Sequence, residues 1–418
     1  MNKRILLPLI FLFLFWGGMQ KSAFAQQEKG IHFTDSSWQT LLAKAKNEHK
    51  LIFMDAHTTW CGPCKWMDKN VFPEDDVAAV YNHNFINTHT DMEKGEGIDL
   101  RKKYKVNAYP TFLFINGDGE VVHKAVGQST VTEFIQFGLD AMSPTRNLKY
   151  FIKNYSDNQS NFDFVSDYCK ALKLAYENDG ANEIALNYLE KQNPPSLIEN
   201  GNWKLIHSNL ADASSAVFQY LVDNKKQFED QFGKEMVDEK IYQTYLSWPS
   251  HYIKYDNEGA VVFDKNGFEK FLTQLQKSNY EKKNEIIAKA KLTVFFGQKN
   301  WQGYTATVAE MIKDHILKMD TKDAEQIYFY SDLVYRFAKN DPKALEKAAG
   351  FAKSISMDIP GITAQNKAEY LELYANLLEE TNQKDLSVSV RKMIDHKNLE
   401  EAQSSNSFQM LKPAAKQK

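Results

Sequence analysis

The sequence predicts an α/β domain with a central mixed sheet flanked by helices, followed by a larger, mostly α-helical domain. Three observations predict this. Short apolar runs alternate with helical spacing over residues 30–142, the pattern of strands joined through helices. A Cys-x-x-Cys pair, Cys61 and Cys64, stands directly after the run Leu51-Ile52-Phe53-Met54 and at the head of a helical pattern, where it reads as a redox pair. After Ser143-Pro144-Thr145, strand signals are few and helical spacing continues to about residue 397.

Taken in order, Thr34 or Asp35 can cap a first helix carrying Trp38, Leu41, Leu42 and Ala45 at helical spacing. Leu51 to Asp55 is a strand and His57-Thr58-Thr59 a polar loop. A helix runs from Cys61 to about Val71, and Pro73-Glu74-Asp75-Asp76 starts the next, with proline and acids in its first turn. Phe85 to Asp91 is a strand, Met92 to Gly97 a polar loop and Asp99 to Tyr104 a short helix. Thr111 to Ile115 and Glu120 to Ala125 are strands around the hairpin turn Asn116-Gly117-Asp118-Gly119. Thr130 to Ala141 closes the domain as a helix.

The ends of the chain read differently. Lys3 and Arg4 precede an apolar stretch, Ile5 to Trp16, and Ala23-Phe24-Ala25 is a small-x-small cleavage site. This is the pattern of a signal peptide over residues 1–25. Its apolar core of about a dozen residues is short for a bilayer span, although a retained anchor is the alternative. Loss of Lys3, Arg4 and Lys21 takes the net charge from −3 to −6. Nothing in that balance suggests a nucleic-acid surface. An exported protein meets an oxidising compartment, the periplasm where an outer membrane exists. The expected organisation is a signal peptide over 1–25, an α/β domain over 26–143, a helical domain over 144–400 and a polar, disordered tail over 401–418.

Within the helical region, helix pairs beginning near Ala288, Ala324 and Ala368 are spaced by 36 and 44 residues. Turns at 297–300, 340–342 and 381–385 divide them. The spacing is near that of tetratricopeptide-like arrays but irregular; an irregular bundle is the alternative. Either can offer a surface to a protein partner.

Cys61 is the candidate nucleophile. As first thiol, at a helix start, it meets unpaired N–H groups and the positive end of the dipole, both of which favour a thiolate. It attacks a partner disulfide, and Cys64 resolves the mixed disulfide. A structural disulfide or half a zinc site is the alternative, but no second Cys-x-x-Cys supplies the remaining ligands. Asp55 is the candidate proton acceptor for Cys64; a capping or exposed aspartate is the alternative. His57 is either a solvated loop histidine or a positive neighbour of Cys61. His83, His89 and His123 fall at no metal spacing and read as structural. No metal and no cofactor are expected. Lys65 and Trp66 read as surface and packing positions, and Cys169 as a buried, unreactive thiol in a helix.

Trp60-Cys61-Gly62-Pro63-Cys64-Lys65, with this element order, resembles the thioredoxin superfamily over roughly residues 30–142. Asp55, six residues before Cys61, sits where that family carries a buried acid, and Tyr109-Pro110-Thr111 where it carries a cis-proline. Gly127 falls at a familiar glycine, and Asn87 where a lysine often stands beside the acid. The resemblance implies a thioredoxin fold and a cis Pro110 that exposes the Tyr109 backbone to an extended substrate. Trp60, Gly62, Pro63, Tyr109 and Pro110 then form the substrate-binding surface. The Gly62-Pro63 pair points toward the reducing end of the family's range. The expected function is a periplasmic thiol–disulfide oxidoreductase that reduces protein disulfides and draws electrons from a membrane-embedded thiol donor. The alternatives are an oxidase or isomerase on the same residues, or a partner-binding protein in which this domain is a scaffold.

Overall fold

The computed structural model describes residues 29–394. The expected signal peptide and tail lie outside these residues. The described chain divides into two units, one of residues 29–158 with 170–178 and one of residues 159–169 with 179–394.

The first unit begins with α1 (Trp38–Glu48), β1 (Leu51–His57), α2 (Gly62–Asn70), α3 (Asp75–Asn84) and β2 (Phe85–Asp91). It continues with α4 (Gly97–Lys103), β3 (Thr111–Ile115), β4 (Val121–Val126), α5 (Val131–Met142) and α6 (Leu148–Asn158). The strands form one mixed sheet in the order β2-β1-β3-β4. β1 runs parallel to β2 and antiparallel to β3, and β3 antiparallel to β4. This is the arrangement the resemblance implies.

Local chemistry sets the ends of these elements. Ser37, rather than Thr34 or Asp35, caps α1: its Oγ accepts from the Thr40 N–H at 3.4 Å. Thr130 and Glu133 form a reciprocal capping box on α5. β1 is longer than its apolar run, because Ala56 and His57 pair with Thr90 and Asp91 of β2. His57 is therefore a strand residue, not a loop residue. α4 begins at Gly97, two residues earlier than expected. A Cβ there would fall 2.0 Å from the Asp91 carbonyl oxygen, so only glycine fits.

Alternation along β1 fixes what each sheet face carries. Ile52, Met54 and Ala56 join Trp38, Leu41 and Leu100 on the side of α1 and α4. Phe53 joins Met67, Tyr81, Phe112, Phe114 and Phe134 on the side of α2, α3 and α5. Phe53 is fully buried, with ring centroids 4.7 Å from Tyr81 and 5.4 Å from Phe114. Its truncation to alanine should cost about 3–5 kcal/mol. Asp55 and His57 continue the Phe53 face, so the sequence places two titratable side chains at the end of an aromatic core.

The rest of the chain is α7 (Phe162–Leu174), α8 (Asn178–Leu189), α9 (Asn200–Asn209), α10 (Ala216–Asp223), α11 (Lys225–Phe232) and α12 (Lys234–Ser247). A hairpin of β5 (Ile253–Tyr255) and β6 (Val261–Phe263) follows, in the interval where helical spacing lapses. Then come α13 (Lys265–Lys277), α14 (Lys283–Gly297), α15 (Trp301–Lys313), α16 (Ala324–Phe337), α17 (Pro342–Met357), α18 (Ala364–Glu380) and α19 (Lys384–Arg391). The turns read from sequence separate α14 from α15, α16 from α17 and α18 from α19. Asp341 caps α17 by accepting from the Ala344 N–H at 3.1 Å. No helix among the described residues is long and apolar enough to cross a membrane.

Candidate active site

β1 delivers the chain into a turn that ends at Cys61, the N-cap of α2, with Pro63 in the helix's first turn. Cys61 and Cys64 are joined as a disulfide, with their Cα atoms 5.3 Å apart. The Cys64 N–H donates to Cys61 Sγ at 3.1 Å. A first-turn amide that ordinarily lacks a partner therefore points at the first sulfur. In the reduced state the same amide and the helix dipole favour a thiolate at Cys61. The site is less open than the motif suggests: Cys61 is only 3% exposed and Cys64 1%, because the first sulfur turns inward to its partner. Gly62, Pro63, Lys65 and Trp66 are exposed.

Trp60 stands beside the disulfide, 65% exposed. Its indole N–H donates to Glu93 Oε2 at 3.0 Å, and its ring meets Tyr109 edge-on at 5.8 Å. Arg101 lies 6.0 Å from the Tyr109 ring centre. Trp60 and Tyr109 thus form two walls, and the Met92–Gly97 loop supplies Glu93 as the brace. The Tyr109–Pro110 peptide is cis. The Pro110 carbonyl accepts from the Gly127 N–H at 2.9 Å, and Gly127 takes φ +101° to reach it. Sequence reasoning identified Trp60, Tyr109, Pro110 and Gly127 but missed Glu93 and Arg101, which carry no motif.

Asp55 lies at the inner end of the site, 1% exposed. Its partner on β2 is His89, directly opposite in the parallel register. His89 Nε2 is 3.0 Å from Asp55 Oδ2 and 3.7 Å from Asp68 Oδ1 of α2. Among the described residues, neither Asp55 oxygen receives an aligned hydrogen bond. The His57 ring stacks on His89, centroids 3.7 Å apart. Two expectations change. His89, read from the sequence as structural, contacts Asp55, and Asn87 does not stand beside the acid: it pairs with Phe53, and its Nδ2 donates to Asn82 Oδ1 at 3.1 Å. His57 is half-buried rather than solvated.

The two stacked imidazoles are tuned apart. Burial, reinforced by the nearby His89, holds His57 below the ordinary histidine pKa. Burial opposes charge on His89 too, but contact with Asp55 and the charges of Asp55, Asp68 and Asp91 outweigh it and raise that pKa. Burial lifts the Asp68 carboxyl, against the pull of His89.

Asp55, His57 and His89 each present one metal-ligand atom, all within 4.8 Å of one another. The arrangement does not suit one ion. A shared ion must lie in both ring planes, and rings tilted by 30° in a stack have planes that meet well beyond the roughly 2 Å reach of a nitrogen–metal bond. His83 is exposed. His123 is 1% exposed, and its Nδ1 accepts from the Leu148 N–H at 3.2 Å, which caps α6. Cys169 is buried, and its thiol donates to the Ala181 carbonyl at 3.4 Å.

Residues 38–141 match the model of a thioredoxin-like domain. The chain is similar to thioredoxin H4 of Arabidopsis thaliana, 38% identical over 98 residues, which are 23% of this chain and 76% of that protein. It is also similar to the thiol:disulfide interchange protein DsbD of Vibrio cholerae serotype O1, 35% identical over 107 residues. That match spans 24% of this chain but only 18% of the relative. Among solved structures, it is similar to a protein of Bacteroides thetaiotaomicron that carries a disulphide-isomerase name, at 48% identity and TM-score 0.26. That match covers 28% of this chain and 99% of the other.

Proposed function

This chain belongs to the thioredoxin-like family of thiol–disulfide oxidoreductases, and from that premise we propose that it reduces disulfides of exported proteins in the periplasm. The observation that supports the chemistry best is the Cys64 amide aimed at Cys61 Sγ at the N-terminus of α2. In the reduced protein, Cys61 attacks one sulfur of a substrate disulfide and displaces the other as a thiolate. Cys64 then attacks Cys61 Sγ, closes the Cys61–Cys64 bond and releases the second substrate thiol. Two electrons pass to the substrate, and the enzyme leaves as the disulfide form. Asp55, buried at the end of β1, is the base that takes the Cys64 proton during closure. The substrate chain lies along the Tyr109–Pro110 backbone between Trp60 and Tyr109.

The signal-peptide pattern at residues 1–25 supports that location. A reductant there needs imported electrons, so its donor is a membrane-embedded thiol protein. The helical region is the candidate for substrate choice.

The test is a trap. Replacing Cys64→Ser leaves Cys61 free to attack but unable to be resolved, so substrate proteins accumulate on it as mixed disulfides. Absence of any trapped protein, together with absence of disulfide reductase turnover by the wild type, would favour the scaffold reading. The direction of electron flow is read from the reduction potential. A value near about −270 mV supports a reductant, and one near about −120 mV an oxidase.

A further inference from the structure

We propose, resting on the oxidoreductase reading above, that His89 is a positioning residue that carries the proton between buried Asp55 and solvent while the Cys61–Cys64 disulfide opens and closes.

Placement comes first. Asp68 and Cys64 are four residues apart on α2, so they share one helix face about one turn, or 5.4 Å, apart. Asp68 meets His89 across that face, so buried Cys64 lies on the helix face that is turned toward β2. Asp55 is 1% exposed, and a proton it receives from Cys64 has no direct way to water. The His89 side chain is 30% exposed and Asp68 43%. The series Asp55, His89, Asp68 therefore runs from the core to the surface through one imidazole nitrogen, Nε2.

Charge comes second. Facing His89 are Asp55 and His57 from β1, Asp68 from α2 and Asp91 from its own strand. The Phe33 ring, 5.2 Å away, covers it without offering charge. Burial lowers the His57 pKa while Asp55, Asp68 and Asp91 raise that of His89, so His89 is the imidazole of the stack that more readily holds a proton. Groups pushed apart in this way take distinct acid and base roles.

The step balances as follows. During closure the Cys64 thiol gives its proton to the Asp55 carboxylate, and its sulfur forms the bond to Cys61 Sγ. The Cys61–substrate bond breaks, and the departing thiolate takes a proton from water. Neutralising Asp55 removes the charge that holds a proton on His89. The imidazolium then releases its Nε2 proton to Asp68, which passes it to water, and takes the Asp55 proton in its place, which restores the carboxylate. Opening runs the sequence backward.

The experiment mixes reduced, full-length protein with oxidised glutathione and follows closure from the mixed disulfide between about pH 5 and 9, in wild type, His89→Asn and Asp68→Asn. General acid–base groups are typically worth about 10²–10⁴-fold; loss of the exit alone should slow closure by roughly tenfold. His89→Asn is expected to lose an inflection above about pH 6.5, the ordinary histidine value, that wild type shows, and added imidazole is expected to restore the rate. Asp68→Asn, at the outer end, is expected to keep the inflection with a smaller slowing. A purely structural histidine would give neither the lost inflection nor the imidazole rescue. If His89→Asn keeps the wild-type profile and ignores imidazole, the relay is wrong although exchange stands. If it does not fold, an Asp68→Asn profile identical in rate and shape to wild type overturns the relay. A wild type that never forms the mixed disulfide overturns the oxidoreductase reading itself.

Discussion

His89 Nε2 lies 3.0 Å from Asp55 Oδ2, across the parallel pair β1–β2 and beneath the helix that carries the redox disulfide. A carboxylate 1% exposed, with no aligned hydrogen bond to either oxygen among the described residues, has this imidazole as its ionic partner. Burying an ionised group without full compensation costs stability. The site thus keeps a destabilising group where the proposed chemistry needs a base.

Asp55→Asn is therefore expected to raise stability while it slows closure of the disulfide. Removing the buried charge should be read as a higher denaturant midpoint at neutral pH. Closure from a mixed disulfide should slow by about 10²-fold or more. A variant both less stable and equally fast would count against the role given to Asp55.

His123 predicts an acid dependence of a different origin. Burial lowers its pKa from 6.5 to about 4, and its neutral Nδ1 accepts the Leu148 amide. Below pH 6.5 the unfolded chain binds a proton that the folded chain refuses. Stability should therefore fall as pH drops from about 6.5 toward 4, by up to about 3 kcal/mol from this group. The unfolding midpoint measured across that window should fall less steeply in His123→Gln.

His89 works with the opposite sign. Its folded pKa is raised, so its contribution is complete below about pH 6.5, the unfolded value, and is lost as pH rises through the folded value. His89→Asn should remove a loss of stability that sets in as pH rises above about 6.5, seen as a flatter unfolding midpoint there.

Trp60→Ala should weaken substrate capture without unfolding the domain, because the ring is 65% exposed and rests on Glu93 and Tyr109. An aromatic anchor of this kind is worth more than about 1 kcal/mol, so KM for a protein disulfide should rise roughly tenfold. The melting temperature should change little. An unchanged KM would remove Trp60 from the binding surface.

Much of this was legible in the sequence because the signals were local. Phe85–Asp91 and Thr111–Ile115 read as strands in the sequence, and the structure reproduces their limits. The N-terminal position of Cys61 on α2 follows from the strand–turn–helix pattern around it. The partner of Asp55 was not legible. The resemblance pointed to Asn87, two residues from His89, and side chains two apart on a strand share a face. Burial pattern alone cannot separate those registers; only the pairing of Asp55 with His89 does. Glu93 was hidden in a polar loop for a related reason, since its contact with Trp60 spans 33 residues. The β5–β6 hairpin escaped because its three-residue strands are too short for a two-residue period to register.

The central claim is that Cys61 is the attacking thiolate. The most direct measurement reduces the full-length protein, treats it with limiting iodoacetamide near about pH 6 and locates the modification by mass spectrometry. The account predicts alkylation at Cys61 at least about tenfold ahead of Cys64, with buried Cys169 unmodified. Alkylation that falls first on Cys64, or equally on both, would contradict it.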